Sequence, residues 1–416
     1  MPVIARYAAI TLPPMFLLLL AGTAWGGFAW VALLWLTVVT AVADRLLAPP
    51  EATPAEEETV PWSDTLSVGL AFGHLLILLS TASAITSGDL SFGQSIALFF
   101  ATASFFGQVS HPNAHELIHR TPVALRALGA AVYTSVGFGH HVSAHRLVHH
   151  RHVGTDADPN TPLPGESFWA YLPRAWRGSF EAGAECEVDR LDRKGRSPNH
   201  ITNPYWIWLG GAILSLILVT LAAGLGGIPV FLGLAGLTGA QILMSDYVQH
   251  YGLQRLLLPN GRFEPVAAHH SWNAPKGFSS YLMMNAPAHS EHHMHPDRPY
   301  ERLNPEAKVP TLPLSMPVMA SIALIPSLWA RMMDRRALKV MEAAQAAYAE
   351  PPKTPAPRRP APVPVAMADR TAATAPPPDQ PSAPEPQDQD QDQDQDQDQD
   401  DPEDANLLKA IRAATQ

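Results

Sequence analysis

Cysteine is nearly missing from this chain: Cys186 is the only one in 416 residues. One thiol excludes an intrachain disulfide framework. It also excludes a built-in iron–sulfur or other cysteine-ligated iron module, which takes four cysteines, or two with histidines. Any electrons this protein uses must therefore come from a partner. Charge is scarce as well, with 16% Asp, Glu, Lys and Arg. The formal net charge of −10 says little about the folded part. Residues 351–416 carry thirteen acidic and six basic side chains, a net of −7, which leaves −3 for the rest. No acidic binding face follows from that balance.

What the chain has instead is long apolar runs. A hydrocarbon core about 30 Å thick needs roughly 20 apolar residues in helix. Runs that meet or approach this length lie at 8–24, 28–47, 65–86, 91–112, 203–223 and 228–249. The first has the marks of a signal peptide, with Arg6 before it and small residues after, and Pro13–Pro14 weaken it as a helix. A second run begins within a few residues, so the two read as a helical hairpin crossing a membrane. The expected fold is all-α and polytopic, with six transmembrane helices.

Orientation follows from Lys and Arg. The connections near 24–28, 87–90 and 224–227 are short and hold neither residue, whereas 113–202 holds Arg120, Arg126, Arg146, Arg151, Arg174, Arg177, Arg190, Arg193, Lys194 and Arg196. The positive-inside rule predicts that this segment, both termini and residues 251–350 are cytoplasmic. Pro122 to Gly137 is a further apolar stretch, expected at the interface or against the bundle because it carries Arg126. Residues 311–330, interrupted by prolines, read as a broken or re-entrant segment. Residues 1–350 are thus predicted to form one integral-membrane domain. Residues 351–416 read as a disordered tail, Pro-rich at first, then a Gln-Asp alternation from Gln387 to Asp400.

Eighteen histidines are many for this length, and most fall in four groups just outside the predicted spans. In "HELIH", His115 and His119 are four residues apart and share a helix face. In "SAHRLVHHRH", His145 and His149 share a face on an α-helix, while His150 points about 100° away. His250 stands alone in "DYVQHYGL", and "HSEHHMH" adds His289, His292 and His293. Alone, HExxH reads as a zinc-hydrolase motif. Nine imidazoles are far too many for one catalytic zinc, which takes three protein ligands. Two metals held by four or five imidazoles each account for the count, and imidazole by itself does not choose among zinc, copper, iron and nickel.

These motifs resemble, in order and spacing, those of the membrane-bound alkane hydroxylases (alkane 1-monooxygenases). "TDADPNTP", "GESFW", "LPNGRFEP", "HHSWN" and "HPDRPYERL" look like landmarks of the same family. The resemblance covers roughly residues 60–335. It implies a non-haem di-iron centre facing the cytoplasm of a bacterial inner membrane. It also implies His115, His119, His145, His149, His150, His250, His289, His292 and His293 as ligands of two iron ions. O2 would be co-substrate, and rubredoxin with rubredoxin reductase the electron donors. The implied reaction is hydroxylation of the terminal methyl of a lipid-soluble n-alkane to a primary alcohol, with no role for nucleic acid. The chain reads as a divergent member: Ala144 and Val148 replace a glutamate and a glycine, Gln249 replaces a glutamate, and Pro287 and Ala288 replace a glutamine and an arginine.

Glu116 and Asp246 are the expected acceptors for N–H groups of the ligand imidazoles; Asp158 ranks below them, since Asp-Pro is also an ordinary turn signal. His74 is expected to face the bundle interior rather than a metal. His111 is set aside because Pro112 interrupts the helix before His115. His140, His141, His152, His269, His270 and His295 are read as hydrogen-bonding groups around the clusters, and His200 as a loop residue. The alternatives are an aryl-methyl (xylene-type) monooxygenase and a fatty-acid hydroxylase or desaturase. More remote are an intramembrane zinc protease, which leaves seven histidines idle, and a metal transporter, which needs ligands near the bilayer midplane.

Overall fold

Three tight connections fold the apolar runs into antiparallel hairpins. Ser91 starts one helix with a capping box: its backbone N–H donates to Gln94 Oε1 at 2.9 Å and its hydroxyl accepts from the Gln94 N–H. Gly88 and Gly224 end the helices before their turns with φ of +85° and +66°, a conformation that favours glycine. A computed structural model of the chain describes residues 3–47, 62–303 and 309–349. The expected tail, 351–416, lies outside the described residues.

Six helices are long and apolar enough to cross a membrane: Val3–Thr23, Phe28–Leu46, Ser63–Ser87, Phe92–His119, Tyr205–Ala223 and Gly227–His250. The protein is an all-α, multi-pass membrane protein. Among the described residues no strand forms, only isolated bridges pairing Leu257 with Phe263 and Asn273 with Thr311. The fifth span buries just Tyr205 and Val219. Ile207, Leu209, Ile213, Leu214, Ile217, Leu218 and Leu221 are exposed on it, as expected for a helix facing lipid. Pro13 and Pro14 lie inside the first helix. That helix packs closely on the third span, where a Cβ at Gly73 would fall 2.3 Å from Met15 Sδ.

The fourth span departs from its expected end. It continues past 112 to His119, so the HELIH motif is its last turn and a half rather than a separate helix. Pro112 does not interrupt it. A π-turn at Phe106–Ser110 precedes Pro112, which sits in the first turn of the following segment, His111–His119. The wider turn relieves the demand that proline's missing N–H and bulky ring place on an α-helix. The stretch after it forms the helix Val123–Ser135, which lies against the bundle. A Cβ at Gly129 would come within 2.8 Å of the Ala114 carbonyl. The proline-broken segment forms two helices, Met316–Ala323 and Pro326–Ala347, meeting at 120°.

The fourth and sixth spans run in the same direction and both end in histidine, at His119 and His250. Segments 141–152 and 251–303 close over these two ends, so all four histidine clusters converge on one face of the bundle.

Candidate metal centre

Nine histidines from four segments meet in two adjoining groups. His115, His119, His145, His150 and His292 form one, and His149, His250, His289 and His293 the other, with the ligating atoms of each group all within 4.8 Å of one another. In the first, His145 Nε2 lies 2.8 Å from His115 Nε2 and 2.9 Å from His150 Nε2, and His292 Nε2 lies 3.2 Å from His150 Nε2. In the second, His289 Nε2 is 2.9 Å from His250 Nε2 and 3.1 Å from His293 Nε2. Nitrogens about 2.1 Å from a shared metal stand about 3 Å apart when they are neighbours in its coordination shell. A single N–H···N bond could explain one such pair. It cannot explain five imidazole nitrogens all within 4.8 Å of one another.

The division between the groups differs from the α-helical expectation. His145 and His149 fall in different groups. Residues Ala144–His149 form a π-turn, whose i to i+5 geometry aligns His145 with His150 and swings His149 toward the second group. At the last cluster, His289 and His293 belong together and His292 points to the other group. The two sets share a wall, with the rings of His150 and His293 4.7 Å apart. All four residues of the second group are buried, whereas His119 and His150 leave the first partly open.

Hydrogen bonds at Nδ1 determine which nitrogen faces a metal. His250 Nδ1 lies 3.0 Å from the His270 carbonyl oxygen. A carbonyl only accepts, so Nδ1 carries the proton and Nε2 keeps its lone pair. His149 Nδ1 donates to Asp158 Oδ2 at 2.8 Å, leaving a buried Nε2 directed to the second group. Asp158 also accepts from the Asn160 N–H at 3.0 Å and the Thr161 hydroxyl at 2.8 Å, so the "TDADPNTP" turn is built around this carboxylate. Burial opposes charge on His149, yet the facing carboxylate outweighs it and holds the imidazole above its usual pKa. Burial likewise opposes the Asp158 charge, but His149 and the N–H and O–H donors hold the carboxyl below its usual range. A metal at Nε2 takes the place of that proton. Burial, then the neighbouring imidazoles, push His145, His289, His292 and His293 well below the usual histidine value, so they are neutral and ready to ligate.

Glu116 and Asp246 have other partners. Glu116 Oε1 pairs with Arg120 Nε at 3.1 Å, and Asp246 Oδ2 accepts from Asn160 Nδ2 at 2.8 Å. Glu116 follows His115 by one residue and so points about 100° away from the ligand stripe. Asp158 is the carboxylate that touches an imidazole of the two groups; the donors beside it in "DADPNT" are a signal for it that the sequence reading did not use.

The "HHSWN" landmark holds the sixth span to the last cluster. The His270 carbonyl orients His250, and the Trp272 N–H and indole N–H donate to the carbonyls of Gln249 at 2.7 Å and Tyr251 at 2.9 Å. Asn273 Oδ1 accepts from the Ser290 N–H and hydroxyl at 3.1 and 3.0 Å, next to His289. A third group, Glu264, His269 and His270, also lies within ligating range. His270 Nδ1 accepts from the Ala267 N–H at 2.9 Å, so its Nε2 carries a proton and donates to Glu264 Oε1 at 2.9 Å. That nitrogen has no lone pair left for a metal; the group braces the His270 carbonyl.

The fatty acid desaturase family model matches residues 93–313. Alkane 1-monooxygenase 1 of Alcanivorax borkumensis is 31% identical over 335 residues, 79% of this chain and 82% of the relative. An alkane 1-monooxygenase of Pseudomonas putida is 29% identical over 324 residues, 75% of this chain and 79% of the relative. The hydroxylase component of a xylene/toluene monooxygenase from Pseudomonas putida is 31% identical over 223 residues, 52% of this chain and 58% of the relative. With two imidazole groups that fit metal ions and relatives matched over most of their length, the chain is a monooxygenase and belongs to the alkane 1-monooxygenase family, as a divergent member.

Proposed function

We propose that this protein hydroxylates the terminal methyl group of n-alkanes to primary alcohols with O2, on two iron ions held by the five- and four-histidine groups. The single observation that carries this reading is the pair of adjoining imidazole sets at the ends of the fourth and sixth spans, where a lipid-dissolved chain can present one end. Rubredoxin, reduced by rubredoxin reductase, is the proposed electron donor, because one cysteine leaves this chain no cluster of its own. The proposed location is a bacterial inner membrane, with both termini and the metal site cytoplasmic, in keeping with the Lys and Arg distribution.

Bound iron would supply dioxygen activation, the chemistry that no side chain offers. The chain's own residues do the rest. His115, His119, His145, His150 and His292 would offer imidazole nitrogens to one metal position, and His149, His250, His289 and His293 to the other. Asp158 and the His270 carbonyl fix the tautomers of His149 and His250, which orients the rings and raises their basicity. Burial of the second group excludes water, and the half-buried His119 and His150 leave the first open toward the polar side.

The xylene-type relative supports an aryl-methyl substrate as a second reading. One experiment tests both: iron and zinc analysis of purified protein, with membrane assays on octane, hexadecane and xylene plus a rubredoxin system. Two irons per chain and octanol formation are expected. One equivalent of zinc with no O2-dependent product would overturn the proposal, and turnover of xylene alone would replace it with the second reading.

A further inference from the structure

Two ligand stripes extend one helical turn beyond the metal positions. On the fourth span, His111 stacks above His115 and His119, with ring centroids 6.1 and 5.2 Å apart along the stripe. On segment 141–152, His141 stacks above His145 and His149 at 5.1 and 5.2 Å. The upper pair, His111 and His141, face each other at 6.0 Å, just as His115 and His145 do at 4.5 Å below them. Tyr133 closes the layer: its hydroxyl lies 2.9 Å from His111 Nδ1 and its ring 4.9 Å from that of His141. Because His111 precedes His115 in the fourth span, this layer lies on the bilayer side of the metal positions.

The layer is buried, and one member of it is unsatisfied. His141 is 1% exposed, and among the described residues neither of its ring nitrogens has a hydrogen-bond partner. Buried polar groups without partners are uncommon, and each calls for a ligand or a functional role. A neutral imidazole offers one donor and one acceptor. A hydroxyl can pair with whichever of these nitrogens it meets, donating to the bare one or accepting from the N–H, whereas an alkane can do neither.

We propose that His111, His141 and Tyr133 form a hydroxyl-binding subsite next to the metal centre, for hydrocarbons that already carry an alcohol a few bonds from the carbon to be oxidised. The spacing follows from the helix: one turn, about 5.4 Å, separates the subsite from the ligand layer. The subsite thus widens the substrate class from alkanes to secondary alcohols hydroxylated near the reacting methyl. The inference rests on the monooxygenase reading for turnover but not for binding.

The test uses the purified full-length protein with octane and octan-3-ol as probes. Wild type should be thermally stabilised more by octan-3-ol than by octane, and kcat/KM should favour the alcohol. In His141→Phe, which keeps a flat ring against His145 and removes both nitrogens, the extra stabilisation should vanish and the preference fall about tenfold. Should that variant not accumulate, Tyr133→Phe, which removes a single oxygen, reads the same difference. Alcohol-specific stabilisation in a protein that oxidises neither probe would support the subsite and overturn only the proposed reaction. Equal stabilisation by both probes in wild type, meaning the subsite holds water alone, would overturn the inference. So would an alcohol-specific shift that survives in both variants.

Discussion

His149 donates its Nδ1 proton to Asp158 Oδ2 over 2.8 Å, and the two residues are only nine positions apart. The carboxylate is itself held by Asn160 and Thr161, so the imidazole is oriented by a turn the chain builds locally. Replacing Asp158 with Ala leaves His149 free to rotate and to change tautomer. The variant should bind the metal of the four-histidine group about 10–100-fold more weakly and keep the other. Iron content measured against a chelator series checks this; retention of both metals at wild-type strength would show that the carboxylate does not support the site.

The π-turn at 144–149 makes a prediction that an α-helix would not. His145→Ala with His150→Ala strips two ligands from one group and should leave one iron per chain. His145→Ala with His149→Ala removes a ligand from each group and should weaken both. On an α-helical pairing the two outcomes would be exchanged. Metal analysis of the two double variants separates the geometries.

Metal removal should occur in two phases. His119 and His150 are half-buried, whereas the four-histidine group is buried throughout, so a soluble chelator should take the first iron faster. A single phase that releases both ions together would mean that the groups do not differ in access.

His140 gives the fold an acid limit. Burial pushes its pKa down to about 4, while the unfolded chain has an ordinary histidine near 6.5. The folded state therefore binds this proton less readily than the unfolded state. Its contribution is fully present above about pH 6.5 and is lost as the pH falls from there toward 4. The size is on the order of 3 kcal/mol for this group across that window. His140→Phe should flatten the fall in Tm between pH 7 and pH 4, and an unchanged slope would assign the acid sensitivity elsewhere.

Gly252, two residues after His250, has a φ of +69°, and an added Cβ would lie 2.7 Å from the Ala337 methyl. Gly252→Ala should cost about 1–2 kcal/mol from the left-handed backbone alone, and more from the contact. Thermal unfolding checks it, and iron loss confined to the four-histidine group would show that the strain passes to His250.

Six spans and the clustering of histidines at the span ends are legible in the sequence, and the count of nine imidazoles suggests two groups. Apolar length and the stoichiometry of imidazoles depend on composition and local spacing alone. The assignment of each ligand to a group is not. It depends on a π-turn that the pattern "AHRLVHH" does not announce, because the same residues read as an ordinary α-helical i, i+4 pair. Pro112 misled for a related reason: a proline is read as a break, yet the wider turn before it carries the fourth span through to His119.

The supporting contacts divide in the same way. Asp158 reaches His149 within one turn and could be suspected from "DADPN". The partners of Glu116 and Asp246 come from elsewhere in the fold, the first bound to an arginine shared with Asp64 and Glu301 and the second to Asn160. By itself, then, the sequence determined the kind of protein this is, a polytopic helical membrane protein rich in clustered imidazoles that could bind metal, because those properties depend on residue type and period. Only the tertiary structure decided which imidazoles gather in which group, that Asp158 pairs with His149, and that His111 and His141 face each other beside them. Those relations join segments that only packing brings together.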